Sequence, residues 1–196
     1  MERQRTVGEY RAIDLIMFSL MVILGESAIC LAGQLFPGES YVFSLVPVLT
    51  AIVMMRWGPW AAIHAVLGGV TLCFWTGGAP MQYVVYGAGN LLGLGALGML
   101  RLYGKEGVRQ NAFRTVAFGL ATVLLMQLGR AAVSAVLSGS ADGVAGFFLA
   151  DVLTLLFTAV VIWIVRQLDG VFEDQINYLL RINREKEEER ESSDEG

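Results

Sequence analysis

Residues 41–76 read YVFSLVPVLTAIVMMRWGPWAAIHAVLGGVTLCFWT. Whether this stretch is one hydrophobic crossing or two decides the fold. A bilayer's hydrocarbon core is about 30 Å thick and takes roughly 20 apolar residues of helix. Gly58-Pro59 punctuates the middle and Gly77-Gly78 closes the end, and both are turn signals. The reading is a short helix over Tyr41–Met55, which contains Pro47, and a second over Trp60–Thr76. The short helix is the weakest by length, and charge placement decides in its favour.

Working outward, further apolar runs cover Ala12–Leu35 (ended by Phe36-Pro37-Gly38), Tyr83–Leu102, Phe113–Leu137 and Gly146–Val165. The chain has 14 Lys and Arg. With six spans, all of them except Arg130 fall on one side. Arg3, Arg5 and Arg11 precede span one, Arg56 separates two from three, and Arg101, Lys105, Arg109 and Arg114 flank the link from four to five. Arg166, Arg181, Arg184, Lys186 and Arg190 follow span six. The opposite connections, 36–39, 77–82 and 138–145, carry none. Dropping the short helix scatters these residues across both sides. The positive-inside rule then places both termini in the cytoplasm. The expected fold is an all-α integral membrane protein, a six-transmembrane-helix bundle with N-in/C-in topology. Brief connections make neighbouring spans antiparallel and leave no room for a soluble domain.

Composition agrees. Hydrophobic residues make up 55%, charged residues only 16%, and mean hydropathy is +0.58. A soluble domain carries nearer a quarter charged residues. The net charge of −4 belongs mainly to the tail after Glu173, and no basic face exists to hold a nucleic acid. Residues 1–11 form a polar cytoplasmic N-terminus without a signal-peptide cleavage site, and 12–167 form the transmembrane domain. In 168–184, Leu168, Val171, Phe172, Ile176, Leu179, Leu180 and Ile182 recur at helical spacing, which predicts an amphipathic cytoplasmic helix continuing from span six. The charge-rich 185–196 is expected to be a disordered acidic tail. Cys30 and Cys73 lie in apolar runs with no C-x-x-C and no clustered His, so neither a disulfide nor a metal site is expected.

Ionisable groups near the bilayer centre cost about 2.5–3.5 kcal/mol each and need a reason. At 1.5 Å per residue, Arg130 lies about 24 Å beyond Arg114, and Glu26 about 22 Å beyond Arg11. Asp151 lies about 9 Å below its outer loop. Gln82, Tyr86 and Asn90 descend from the outer end of span four, and Trp75 stands at the outer end of span three. Glu26, Trp75, Gln82, Tyr86, Asn90, Arg130 and Asp151 are thus candidates for an outward-opening substrate pocket, with aromatic faces for stacking and polar groups for orientation. The alternative is that Arg130 snorkels or pairs structurally with Glu26 or Asp151, while Trp75, Tyr83 and Tyr86 form an aromatic belt. Asp14 is expected to pair with Arg11 or meet water, and His64 to be a packed histidine. Ala61, Ala65 and Gly69 form a small-residue ladder suited to close helix approach.

No nucleophile–base set, H-E-x-x-H, Walker A or G-x-S-x-G is present, and the glycines of GAGNLLGLG (87–95) lie within a span. No catalysis and no cofactor is expected.

Residues 36–102 carry a resemblance. FPGESYVFSLVPVLTAIVMMRWGPWAAIHAVLGG and GGAPMQYVVYGAGNLLGLGALGML resemble the loop, short second helix, Gly-Pro turn and glycine-rich fourth helix of the substrate-binding (S) components of energy-coupling factor (ECF) vitamin transporters. The resemblance implies a multi-pass protein of a prokaryotic plasma membrane that binds a vitamin or similar micronutrient near the outer face. It also implies docking on an ECF coupling transmembrane protein driven by ATPase subunits, with the seven candidates above in the pocket. The family's A-x-x-x-A docking face on the first helix is absent, since that half reads AIDLIMFSLMV (12–22). Docking then falls to Ala61, Ala65 and Gly69. The competing function is a non-transport membrane scaffold of similar fold.

Overall fold

The computed structural model describes residues 6–35, 43–140, 146–148 and 151–194. The expected outer connection 36–39, residues 141–145 of the one at 138–145, the start of the second apolar run (41–42), residues 149–150 of the last run, and Arg3 and Arg5 lie outside them. Among the described residues every regular element is helical. These are α1 (Val7–Leu35), α2 (Val46–Trp57), a 3-10 turn (Gly58–Ala61), α3 (Ala62–Thr76), α4 (Pro80–Asn90), a 3-10 stretch (Leu91–Ala96), α5 (Leu97–Tyr103) and α6 (Lys105–Gln110). They are followed by α7 (Ala112–Ser138), α8 (Val152–Val165) and α9 (Gln175–Asp194).

Among the described residues, four helical stretches are long and apolar enough to cross a membrane: Val7–Leu35, Val46–Thr76, Pro80–Tyr103 and Ala112–Ser138, while Val152–Val165 is shorter. The chain is thus compatible with a multi-pass membrane protein. The second stretch is not a single rod. Gly58, at φ 62° and ψ −125°, adopts a conformation that suits glycine and ends α2. A Cβ placed on Gly68 would run into the Val46 side chain, although a straight helix would hold these residues about 33 Å apart. The chain therefore folds back at Gly58-Pro59, as the turn chemistry predicts.

Contacts give each segment its direction. Asp14 meets Arg56 and Glu26 meets Leu45, so α1 and α2 are antiparallel. His64 meets Leu15 while Trp75 meets Ser27, so α1 and α3 are parallel. Ala65 bonds Asn90, Gly93 abuts Met126, and Arg130 pairs with Asp151. Successive apolar segments therefore reverse, and the bundle has two distinct ends. One carries Asp14, Arg56, Lys105, Arg109, Arg114 and Arg166; the other carries Glu26, Gln82, Arg130 and Asp151.

The short α2 is the core. Every one of its residues except Arg56 is buried, with α1, α3, α7 and α8 packed around it. Pro47 is tolerated because it sits in the first turn, where its missing N–H would have had no intrahelical partner anyway. α1 starts in a reciprocal cap, with the Thr6 N–H donating to Glu9 and the Glu9 N–H to the Thr6 hydroxyl.

Three expectations change. Ala61 and Ala65 are fully buried and Gly69 is buried too. A Cβ on Gly69 would lie 2.6 Å from the Tyr86 carbonyl, so this ladder is an internal seam against α4 and offers no docking face. Asp14 pairs with Arg56 across α1 and α2, not with Arg11. The amphipathic helix does not continue from span six: α8 stops at Val165, Gly170 takes φ 71°, and helix resumes at Gln175. That helix extends to Asp194, where Glu, Lys and Arg are good helix formers.

Candidate functional site

At the end opposite the basic residues lies a cavity of about 500 Å³ lined by Ser44, Leu72, Cys73, Thr76, Gln82, Tyr86, Arg130, Gly146, Phe147 and Asp151. Arg130 is its principal polar group. It comes from α7 at the point where α7 touches α4 most closely: a Cβ on Gly89 would lie 2.7 Å from the Arg130 backbone, and one on Gly129 would strike the Gly89 carbonyl. Paired glycines on two helices bring the backbones together and fix the guanidinium's height.

The Arg130 Nε donates to Asn90 Oδ1 at 2.6 Å, and Nη1 to Asp151 Oδ2 at 3.0 Å. The guanidinium lies over the Tyr86 ring, 5.0 Å from its centroid. Asn90 in turn donates to the Ala65 carbonyl at 2.9 Å. Tyr86 and Phe147 stand 6.4 Å apart, with their rings inclined at 59°. The cavity thus offers two aromatic faces, a charge-paired guanidinium with further N–H groups, and the small polar groups of Ser44, Thr76 and Gln82. Such a set suits a compact ligand with a flat apolar body and a few polar atoms.

A chain of hydrogen bonds runs behind this wall. Asp151 Oδ1 accepts from the Thr154 hydroxyl at 3.4 Å, and that hydroxyl accepts the Ser44 N–H at 3.1 Å. The Ser44 hydroxyl donates to Glu26 Oε1 at 2.9 Å. The same carboxylate oxygen accepts the N–H groups of Leu45 and Val46, so Glu26 of α1 caps the start of α2. An anion at a helix N-terminus is favourable because it meets both unpaired N–H groups and the positive end of the dipole. Glu26 Oε2 and both amide atoms of the fully buried Gln127 find no hydrogen-bond partner among the described residues.

Of the seven expected residues, Gln82, Tyr86, Arg130 and Asp151 line the cavity. Asn90 stands behind Arg130 and orients it. Glu26 holds α2. Trp75 lies apart: its indole N–H donates to Ser27 at 2.7 Å and its carbonyl accepts from Gln34 at 3.0 Å, which ties α3 to α1. Gln82 also accepts the Ala79 N–H at the start of α4. Sequence reasoning missed Ser44, Cys73, Thr76 and Phe147, residues common in any span. The one usable signal was Phe147, an aromatic at the outer edge of the last apolar run. His64 is packed as expected, its Nε2 donating to the Leu15 carbonyl at 3.1 Å.

No family model, curated protein or solved structure matches this chain. Among the described residues, no cluster of three or more His, Cys, Asp or Glu is placed to hold a metal.

Proposed function

We propose that this protein is a membrane-embedded substrate-binding subunit for uptake of a small micronutrient, a vitamin or a compound of similar chemistry. The carrying observation is the cavity of about 500 Å³ with Arg130, Asp151 and Tyr86 on its wall. In this reading the six apolar segments are six spans, both termini are cytoplasmic, and the cavity opens toward the outer face of a prokaryotic plasma membrane. The alternation of segment direction and the gathering of Arg56, Lys105, Arg109 and Arg166 at the other end support it. The chain has no nucleotide-binding motif, so energy for transport comes from separate coupling and ATPase subunits. No catalytic role is assigned.

The test is thermal stabilisation of the purified protein by a panel of vitamins and related heterocycles. A saturable shift with one compound, weakened in Tyr86→Phe and Gln82→Ala, supports the reading. These two variants serve better than Arg130→Ala, which also exposes Asp151 to the loss of its partner. Co-purification of ATPase subunits supports the transport role separately. A second reading, a non-transport scaffold, draws on the engagement of Arg130 by Asn90, Asp151 and Tyr86. It predicts no shift with any compound and unaltered partner recruitment in Tyr86→Phe.

A further inference from the structure

α2 is held at both tips by polar contacts and by apolar packing alone between them. At the cavity tip, Glu26 accepts the Leu45 and Val46 N–H groups, and Ser44 connects through Thr154 to Asp151 and so to Arg130. At the far tip, Arg56 gives a two-point contact to Asp14, both bonds 2.7 Å, and Trp57 donates to the same carboxylate. Arg56 Nη1 also donates to the carbonyls of Gly170 (2.6 Å) and Val171 (3.0 Å). These carbonyls belong to the non-helical segment 166–174, which folds across the basic end of the bundle like a clasp.

The clasp is seated by specific groups. Phe172 is fully buried, with its ring 6.3 Å from Phe118. Glu173 is buried and meets Arg109 at 2.6 Å. Lys105 bonds the Asp174 carboxylate and also reaches the Arg56 carbonyl at 3.4 Å. Helix, clasp and α6 therefore meet at a single residue, Arg56.

We infer that α2 is a rigid strut that couples the state of the cavity wall to the seating of the 166–174 clasp. The distance spanned is about 18 Å for 12 helical residues. A buried helix in a close-packed interior moves as a body and does not deform along its length. A ligand that draws Arg130 or Asp151 toward itself loads the Thr154–Ser44 link, shifts the start of α2, and moves Arg56 against the Gly170 and Val171 carbonyls. Coupling of this kind is reciprocal, so freeing the clasp also loosens the cavity wall. The physiological meaning rests on the cavity being a ligand site, but the coupling itself is a property of the unliganded chain and is tested there.

The experiment is hydrogen exchange read by mass spectrometry on the full chain in nanodiscs. Thr154→Val removes the link between Ser44 and Asp151 without altering α2 or the cavity charges; Ser44→Ala, which keeps the Ser44 N–H bond to Thr154 but cuts the hydroxyl's bond to Glu26 at the start of α2, is the second variant. Both are expected to raise exchange in peptides covering 166–178 by roughly five-fold or more. Trp75→Phe, which breaks a bond at the same end that does not pass through α2, is expected to leave those peptides unchanged. In the other direction, Arg56→Gln is expected to raise exchange at 43–46 and to speed alkylation of Cys73 in the cavity wall. Faster exchange at 43–46 in Thr154→Val and Ser44→Ala, with 166–178 unaltered, overturns the proposal. So does an equal rise at 166–178 in Trp75→Phe, because that is general loosening. Neither outcome depends on whether the vitamin panel finds a ligand.

Discussion

Arg56 and Arg130 occupy opposite ends of the bundle and have similar surroundings. Each pairs with an aspartate from a different helix, and each lies over an aromatic ring, Phe18 at 5.5 Å for Arg56 and Tyr86 at 5.0 Å for Arg130. They differ in what the remaining N–H groups do. Arg56 makes four hydrogen bonds, two to Asp14 and two to backbone carbonyls. A guanidinium has five N–H donors, so it is nearly used up. Arg130 makes two among the described residues, to Asn90 and Asp151, and borders a cavity. One arginine joins protein to protein, and the other is held in place with donors to spare. Binding capacity in a buried charge lies in what its fixed partners leave unsatisfied.

The strongest way to break this comparison is to remove each arginine in turn. Arg56→Ala leaves Asp14 with the Trp57 N–H alone and strips a donor from two carbonyls at a mostly buried contact, and is expected to cost about 3–5 kcal/mol, read as lost stability in chemical unfolding in detergent. Arg130→Ala is expected to cost less, about 2–3 kcal/mol, because it gives up two hydrogen bonds where Arg56→Ala gives up four. Equal losses would make Arg130 a structural pin and remove the distinction. The glycine seam that seats Arg130 comes next. Gly129→Val drives a side chain into the Gly89 carbonyl and is expected to cost about 1–3 kcal/mol. Gly98→Ala, with nothing within 4 Å of the added carbon, is expected to stabilise by about 0.5–1 kcal/mol. The smallest effect is at the clasp's rim. Lys105 and Asp174 are partly exposed, so Lys105→Met is expected to lower stability by about 0.2–1 kcal/mol in dilute buffer. High salt should erase the difference.

What could be read from the sequence follows from what each kind of signal contains. Hydropathy and Gly58-Pro59 located the hairpin, because a turn residue between apolar runs acts locally. Depth arithmetic brought Gln82, Tyr86, Arg130 and Asp151 to one end, because rise per residue is nearly constant in a helix. The pairing of Asp14 with Arg56 was out of reach, since which of several charges meet depends on helix rotation. Glu26 was read as a ligand contact because a lone carboxylate in a span signals a need for donors. The donors it found were backbone N–H groups, which side-chain chemistry does not announce. The Ala61, Ala65 and Gly69 ladder correctly signalled a close approach, but spacing alone does not say whether the neighbour is internal.

The short α2 has one more consequence. At about 18 Å, it falls well short of the roughly 30 Å of a hydrocarbon core, and the residue just ahead of its first turn region, Ser44, is already on the cavity wall. The hollow stands where a longer second helix would have continued. Its depth is therefore set by where helix begins ahead of Pro47, and every residue by which that start is advanced would raise the cavity floor by about 1.5 Å. The size of the cavity is then open to change by lengthening one helix, with every other lining side chain left in place.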